Sequence, residues 1–371
     1  MPATYLRGGT SKGIFLDRRH LPQDRASWKP IFLGLMGSPD SEYGRQLNGM
    51  GGGVSSLSKI CVVEPPTDVQ KAEGIDVVYT FAQVGIRDAD IDYSGNCGNL
   101  SSMIGVYAVD EGLCRPRKDA MDPELGTAPI RSLNTNTNKV IDTTFPVARI
   151  EDSVTPLLDL PQVSIAGVSG KASRIIMDFV SPGGARTGRL LPTGNPVDEI
   201  TLSQCHPAQS RFPGSATPVP VSLVDATNPT VFVDAHQLSI VLGCTGPLQY
   251  DDMDVRSAVE SIRQQGARMM GLDPSAQAQP KIAMLSPPAG ESDSDIVVHA
   301  FSMGVLHKAV PMTVGACLGV ASILKGTIAW DIVRRARSGK GRPDESDVTL
   351  VQHPGGTTEV RARFDAEGHN E

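Results

Sequence analysis

The sequence has no surplus of positive charge. Its 34 lysines and arginines stand against 41 aspartates and glutamates, a formal net charge of -7, so nothing resembles the clustered basic surface that nucleic acid requires. It also lacks a long apolar run. The longest stretch, 310–324, is too short to span a bilayer and stops at Lys325. No basic segment followed by an apolar one opens the chain, so no secretory leader is expected. Six cysteines lie scattered without a CxxC pair, a usage that argues against a disulfide framework or a thiolate zinc site and leads to the expectation of a reduced, cytoplasmic protein. Seven histidines are far apart, with no HExxH. The glycine-rich segment 49–53 lacks both the Lys-Ser/Thr ending of a Walker loop and the spacing of GxGxxG. The acidic group at Asp251, Asp252 and Asp254 reads as a solvated loop or the first turn of a helix rather than as a metal site. No metal and no cofactor is therefore expected, and an enzyme with this sequence would work with its own side chains.

What is present is an ordinary globular composition, 371 residues with 40% apolar and 20% charged, enough for about two domains. More informative is that the chain contains itself twice. Thr10, Phe15, Asp17 and Leu21 recur as Thr227, Phe232, Asp234 and Leu238 at one spacing, 217 residues (10 to 227). Each copy is a β-branched and aromatic run bounded by turn formers, hence a strand. Residues 59–66 (KICVVEPP) and 281–288 (KIAMLSPP) form a second pair, each an apolar strand opened by lysine and closed by Pro-Pro. Residues 77–81 (VVYTF) and 297–301 (VVHAF) form a third. In each half a helix follows, over 100–109 and 313–324, apolar nearly all round and so buried on every side.

The repeat implies two similar α/β domains, each a curved sheet wrapped around a central helix. The expected division is 1–190 and 191–344, with 345–371 free to return to the first half. The crossover lies near 190–196 and the proline-rich 207–220; 334–347 is charged and reads as exposed, and 348–352 with 358–364 reads as a closing hairpin.

Two similar domains facing each other would bring equivalent residues to one cleft, a geometry suited to a substrate that loses a proton and regains one elsewhere. Lys59 and Lys281 arrive as such a pair. One lysine alone would be read as solvating the start of a strand; two at the same register of duplicated strands point to function. A lysine amine is a weak base at neutral pH unless burial or a neighbouring cation lowers its proton affinity, and a charged one can serve as acid or anion anchor. Cys97, in the run 94–99 (SGNCGN) at the start of the first central helix, is either an activated thiol or an inert buried one. Cys61, Cys114, Cys205 and Cys244 read as structural. Residues 51–58 (GGGVSSLS) lead into Lys59 and are either backbone and hydroxyl donors for a carboxylate or a flexible turn. His307 and Lys308 precede the second central helix in a similar place.

Residues 5–15 (YLRGGTSKGIF), Gly49 to Gly53 with Ser58-Lys59, Asn96-Cys97-Gly98-Asn99, Pro182-Gly183-Gly184, 191–196 (LPTGNP) and His307-Lys308-Ala309 together resemble the PrpF family, in order, from residue 5 to about 325. That family includes aconitate isomerases, methylitaconate delta-isomerase and 4-oxalomesaconate tautomerase. The resemblance implies a diaminopimelate epimerase-like fold and a cofactor-independent 1,3-allylic proton shift on an unsaturated di- or tricarboxylate, with cis/trans-aconitate as the leading substrate. The tautomerase and methylitaconate reactions are the alternatives. Lys59 and Lys281 are the implied acid/base pair, with Lys59 taken as the group that removes the proton. Gly52, Gly53, Ser56, Gly98, Asn99 and Thr313 are the expected substrate donors, with Thr10, Ser11, Asn228 and His307 as further binding residues; Asn228 matches a substrate-binding asparagine of the epimerases. Those epimerases use two cysteines at the starts of the two central helices. Cys97 matches the first, whereas an ungapped match puts the second at Ala316, one residue before Cys317. This argues against a two-thiol racemase. A non-enzyme alternative is an accessory protein of an aconitase-like dehydratase. The expected partner is a small unsaturated polycarboxylate, with no nucleic acid and no membrane, and a homodimer left open.

Overall fold

Residues 13–17 and 60–63 are unbroken buried runs, the pattern of strands covered on both faces. In the structure, a computed structural model that describes residues 1–116, 126–150, 153–166, 168–202, 218–290, 292–341 and 346–364, these two strands are parallel neighbours. The chain divides into two units, Met1–Pro182 and Gly183–Glu371.

In the first unit, seven strands follow one another across a sheet in chain order. They are β1 (Thr4–Gly8), β2 (Ser11–Asp17), β3 (Lys59–Glu64), β4 (Val77–Val84), β5 (Thr127–Asn134), β6 (Lys139–Ile150) and β7 (Ile176–Val180), with Ile91–Asp92 beside β4 and Ser153–Pro156 beside β6. The second unit repeats the plan with β8 (Asp198–Ile200), β9 (Val219–Ala226), β10 (Asn228–Asp234), β11 (Lys281–Ser286), β12 (Ile296–Ser302), β13 (Val348–His353) and β14 (Gly356–Arg361). From β1 to β6 the pairings run antiparallel, parallel, antiparallel, parallel, antiparallel. From β9 to β14 they run identically. The internal duplication read from the sequence is therefore a duplication of topology.

Each sheet curls around an apolar helix. In the first unit this is α2 (Gly98–Ser101) continuing, after a break at residues 102–103, into α3 (Ile104–Asp110), in which Ile104 through Val109 are all buried. The pair touches β1 and β2 at one end of the sheet and β4 and β5 further along it. On the sheet's other face lies α1 (Trp28–Met36), which buries Trp28, Phe32 and Met36 against Ile14, Leu16, Ile60 and Val62. In the second unit α4 (Ala235–Val241) and α5 (Met253–Met269) cover the outer face. The inner face wraps α6 (Met312–Ile323), which touches β9, β10, β13 and β14. Asp251, Asp252 and Asp254 do form a helix start: Asp252 caps α5 by accepting from the Asp254 N–H at 2.7 Å.

Three expectations need correction. The boundary falls at 182/183, ahead of 190/191. The closing hairpin β13–β14 does not return to the first half, because β13 pairs with β12 and β14 packs on α6. Residues 334–338 are the end of α7 (Ile328–Ser338), a second helix beside α6; Arg334, Arg335 and Ser338 are exposed as expected, while Arg337 is buried on Asp295 and on the Val348 carbonyl. The third sequence pair is out of step by one residue. Phe81 lies opposite Cys61 and packs on the central helix, whereas Phe301 lies opposite Ile282 and packs in the outer core with α5. The ladder partner of Phe81 is thus Ala300, and a one-residue slip exchanges the faces of a strand. Cys205, most of 207–220 and 342–345 fall outside the described residues.

Candidate active site

In each unit the chemistry collects at one end of the sheet, where the parallel pair begins, its antiparallel neighbour ends and the central helix starts. In the first unit the hairpin from Gly8 to Ser11 turns on Gly9, at φ 51°, a left-handed conformation suited to glycine. A Cβ on Gly8 would collide with the Asn99 carbonyl, so glycine lets β1 and the helix start meet. Asn99 then donates to Thr10 Oγ1 at 3.0 Å and Ser11 Oγ at 3.3 Å, and Cys97 Sγ lies 3.7 Å from Ser11 Oγ. Thr10, Ser11, Cys97, Gly98 and Asn99 are thereby brought together.

Lys59 opens β3 on the inner face and is only 8% exposed. Its Nζ donates to Gln83 Oε1 at 2.5 Å, directly across the antiparallel ladder, and lies 5.2 Å from the centre of the Phe81 ring. Among the described residues it has no carboxylate within ion-pair distance, unlike the buried arginines: Arg263 holds Glu260 at 2.7 Å and Arg337 holds Asp295 at 3.3 Å. Buried charges are ordinarily paired, because the desolvation cost is several kcal/mol. Lys59 is a buried amine on a neutral acceptor.

The second unit builds the same corner from different residues. Lys281 opens β11 on the inner face, half-buried, and donates to Ser302 Oγ at 3.0 Å, again straight across the ladder. Asn228, at the start of β10, donates to Thr313 Oγ1 at 3.0 Å, and Thr227, at φ 66°, donates to the Thr313 carbonyl at 2.7 Å. These contacts make Thr313 the counterpart of Asn99. The counterpart of Cys97 is then Pro311, which precedes the helix. Ala316 and Cys317 sit inside α6 rather than at its start, so the ungapped match is corrected. Cys317 lies against the Val224 carbonyl, and burial pushes its thiol up to about 12. Burial likewise raises Cys61 well above the ordinary thiol range. Both are inert fillers, and among the described residues no second thiol stands at the start of α6.

The glycine segment is tied down rather than open. Gln46, fully buried, accepts from the Gly53 N–H at 3.0 Å and donates to Ser58 Oγ and Ser38 Oγ, each at 2.8 Å. The Gly53 N–H expected for substrate is therefore occupied; Gly52 is exposed and Ser56 half-buried. His307 turns to the Ala309 backbone, its Nδ1 2.6 Å from that carbonyl. Sequence reasoning missed Gln83, Ser302, Gln46 and Gln279, which donates to Asn228 Oδ1 at 2.8 Å. A polar residue closing an otherwise apolar strand was a signal for Gln83 and Ser302, but its partner became visible only with the ladder register.

A curled sheet around an apolar helix, present twice in one chain, is the architecture of the epimerase-type isomerases. A solved hydroxyproline epimerase from Agrobacterium vitis, only 11% identical, superposes with a TM-score of 0.50 over 96% of this chain and 83% of its own. The methylitaconate delta-isomerase crystal structure matches with a TM-score of 0.71 and 31% identity, over 99% of this chain and 89% of that one. Among sequences, the chain is 32% identical to a 3-methylitaconate isomerase of Eubacterium barkeri, covering 97% of this chain and 90% of the relative. It is 33% identical to a 2-methyl-aconitate isomerase of Shewanella oneidensis, covering 97% and 89%. The PrpF protein family model matches residues 1–370. The chain belongs to the PrpF family, and it is an isomerase. Among its described residues no single helix is long and apolar enough to cross a membrane.

Proposed function

We propose that this isomerase moves a C=C bond by a 1,3-allylic proton shift on an unsaturated di- or tricarboxylate of the aconitate class, with cis/trans-aconitate as the first substrate to test. The observation that carries the reading is Lys59, a buried amine with a neutral partner where a structural lysine would hold a carboxylate. An incoming polycarboxylate would supply the missing anion. The recurrence of a lysine at the same register in the second unit supports a two-group mechanism.

In this reading Lys59, as the neutral amine, takes the allylic proton, and the C–H electrons form the new double bond. The electrons of the old double bond spread to its far carbon, where the adjoining carboxylate holds the charge. Lys281, as ammonium, delivers a proton to that far carbon. Nothing is oxidised or reduced, and the two amines have exchanged protonation states. The scheme requires both amines to reach one substrate. Thr10, Ser11, Cys97 and Asn99 in one unit, with Asn228 and Thr313 in the other, are the proposed contacts for the carboxylates. The relatives named for methylated substrates make 2-methylaconitate and methylitaconate the next candidates; they differ only beside the double bond.

The test is proton NMR in D2O with the purified protein and each of aconitate, 2-methylaconitate, methylitaconate and 4-oxalomesaconate. Isomerisation accompanied by deuterium incorporation at the allylic positions is expected with at least one. If none shows either isomerisation or exchange, the reading is lost.

A further inference from the structure

Gln83 is the last inner-face residue of β4 and is 6% exposed. Its Nε2 donates to the Ser58 carbonyl at 2.9 Å and the Ser55 carbonyl at 3.2 Å, both on the segment that leads into Lys59. With both amide hydrogens engaged, the group cannot be turned over without setting its oxygen against two carbonyl oxygens and its nitrogen against the lysine. Its Oε1 is therefore fixed towards Nζ, as an acceptor only. Nζ stands 2.5 Å from that oxygen. The second unit repeats the device: Ser302, also the last inner-face residue of its strand, accepts from Lys281 across the ladder, beyond the apolar Val298 and Ala300. Duplicated strands have diverged at this position and kept an oxygen there.

We infer that Gln83 is a positioning residue for the proton transfer, aiming the Lys59 amine along the inner face and setting its balance between amine and ammonium. The inference rests on the acid/base role proposed above. The other titratable groups around this corner are Cys61 on the same strand, Asp92 opposite Gln83 on the neighbouring short strand, and Cys97 at the helix start. Among the described residues no carboxylate, Asp92 included, lies within ion-pair distance of Lys59, whose amine instead meets the Gln83 oxygen at 2.5 Å and the face of the Phe81 ring at 5.2 Å.

Two variants test this. Gln83→Met keeps the length and volume but removes the acceptor; Gln83→Glu puts a charged acceptor in its place. Nitrogen-15 NMR of the Lys59 amine, assigned with Lys59→Arg, follows its protonation directly and needs no substrate. Loss of a neutral acceptor disfavours the ammonium and a carboxylate favours it, so the midpoint is expected to move down in Gln83→Met and up in Gln83→Glu, by about one pH unit each. The lysine-dependent limb of the pH–rate profile should move with it, and kcat in Gln83→Met should fall about 10- to 100-fold with KM changed much less, the cost of misaiming a reacting group. An unmoved midpoint in both variants, or a fall in kcat with the limb unmoved, overturns the inference. Absence of exchange in the wild-type protein would instead sink the proposed reaction, and the NMR titration still reads Gln83 independently.

Discussion

A buried lysine on a neutral oxygen is a costly thing to keep, and that cost separates a functional from a structural Lys59. A lysine retained for its fold would be missed when lost. Lys59→Met removes the desolvation penalty and retains the aliphatic stem, so Tm is expected at or above the wild-type value while kcat falls by about 100-fold or more. Differential scanning calorimetry and the deuterium-exchange assay check the two halves of this expectation. A Tm several degrees lower, with activity lost in proportion, would give Lys59 a structural job instead. Lys281→Ala is expected to lose activity similarly with little change in Tm, because that side chain is only half-buried. His299 offers a pH test away from the chemistry. It stacks on Tyr250 with ring centres 4.6 Å apart, and burial lowers its proton affinity below the ordinary histidine value. The unfolded chain then binds the proton more readily. The stacking contribution is full above about pH 6.5 and is lost as the pH falls through the lower folded value. His299→Phe is expected to flatten Tm against pH between about 5 and 7 relative to the wild type.

At the scale of elements, the central helices owe their place to small residues. A Cβ on Gly105 of α3 would meet Thr143, Ile130 and Phe145 at 2.7, 2.9 and 3.0 Å, and one on Gly319 of α6 would meet Val360 of β14 at 3.2 Å. Gly105→Val is accordingly expected to destabilise the protein by about 1–3 kcal/mol through overpacking, and Gly319→Ala by much less, since the single Val360 side chain can yield; urea unfolding compares them. The same elements show what could be read in advance. Uniformly apolar helices, lysine-led strands and the order of the repeat were legible because burial on all sides leaves a compositional trace. The register of β4 against β12 was not. Both read as aromatic-ending apolar runs, and only the ladder reveals that Phe81 faces the helix while Phe301 faces away. Helix α7 escaped because its outward face is rich in arginine, although Ile328, Ala329, Ile332 and Val333 formed a buried stripe. Of the candidate site, the residues that open strands were legible by their repetition; Gln83, Gln46 and Gln279 were not, because a buried glutamine is recognised by the partners it satisfies, and those are remote in sequence.

For the molecule as a whole, each unit has an inner and an outer core of its own, drawn from its own residues. Residues 183–371 produced alone are therefore expected to unfold cooperatively and to give a dispersed amide spectrum, while on the proposed mechanism neither unit alone should catalyse exchange, since each holds one lysine of the proposed pair. A collapsed, undispersed spectrum would mean that the second core needs the first. The two units also differ in when they can be finished. Every strand around α3 precedes residue 183, whereas α6 stays bare on one flank until β14, the last strand of its sheet, arrives to lay Val360 over Gly315 and Gly319. During synthesis the amino-terminal half can thus settle early, while its copy must hold an oily helix in waiting until the final hairpin leaves the ribosome.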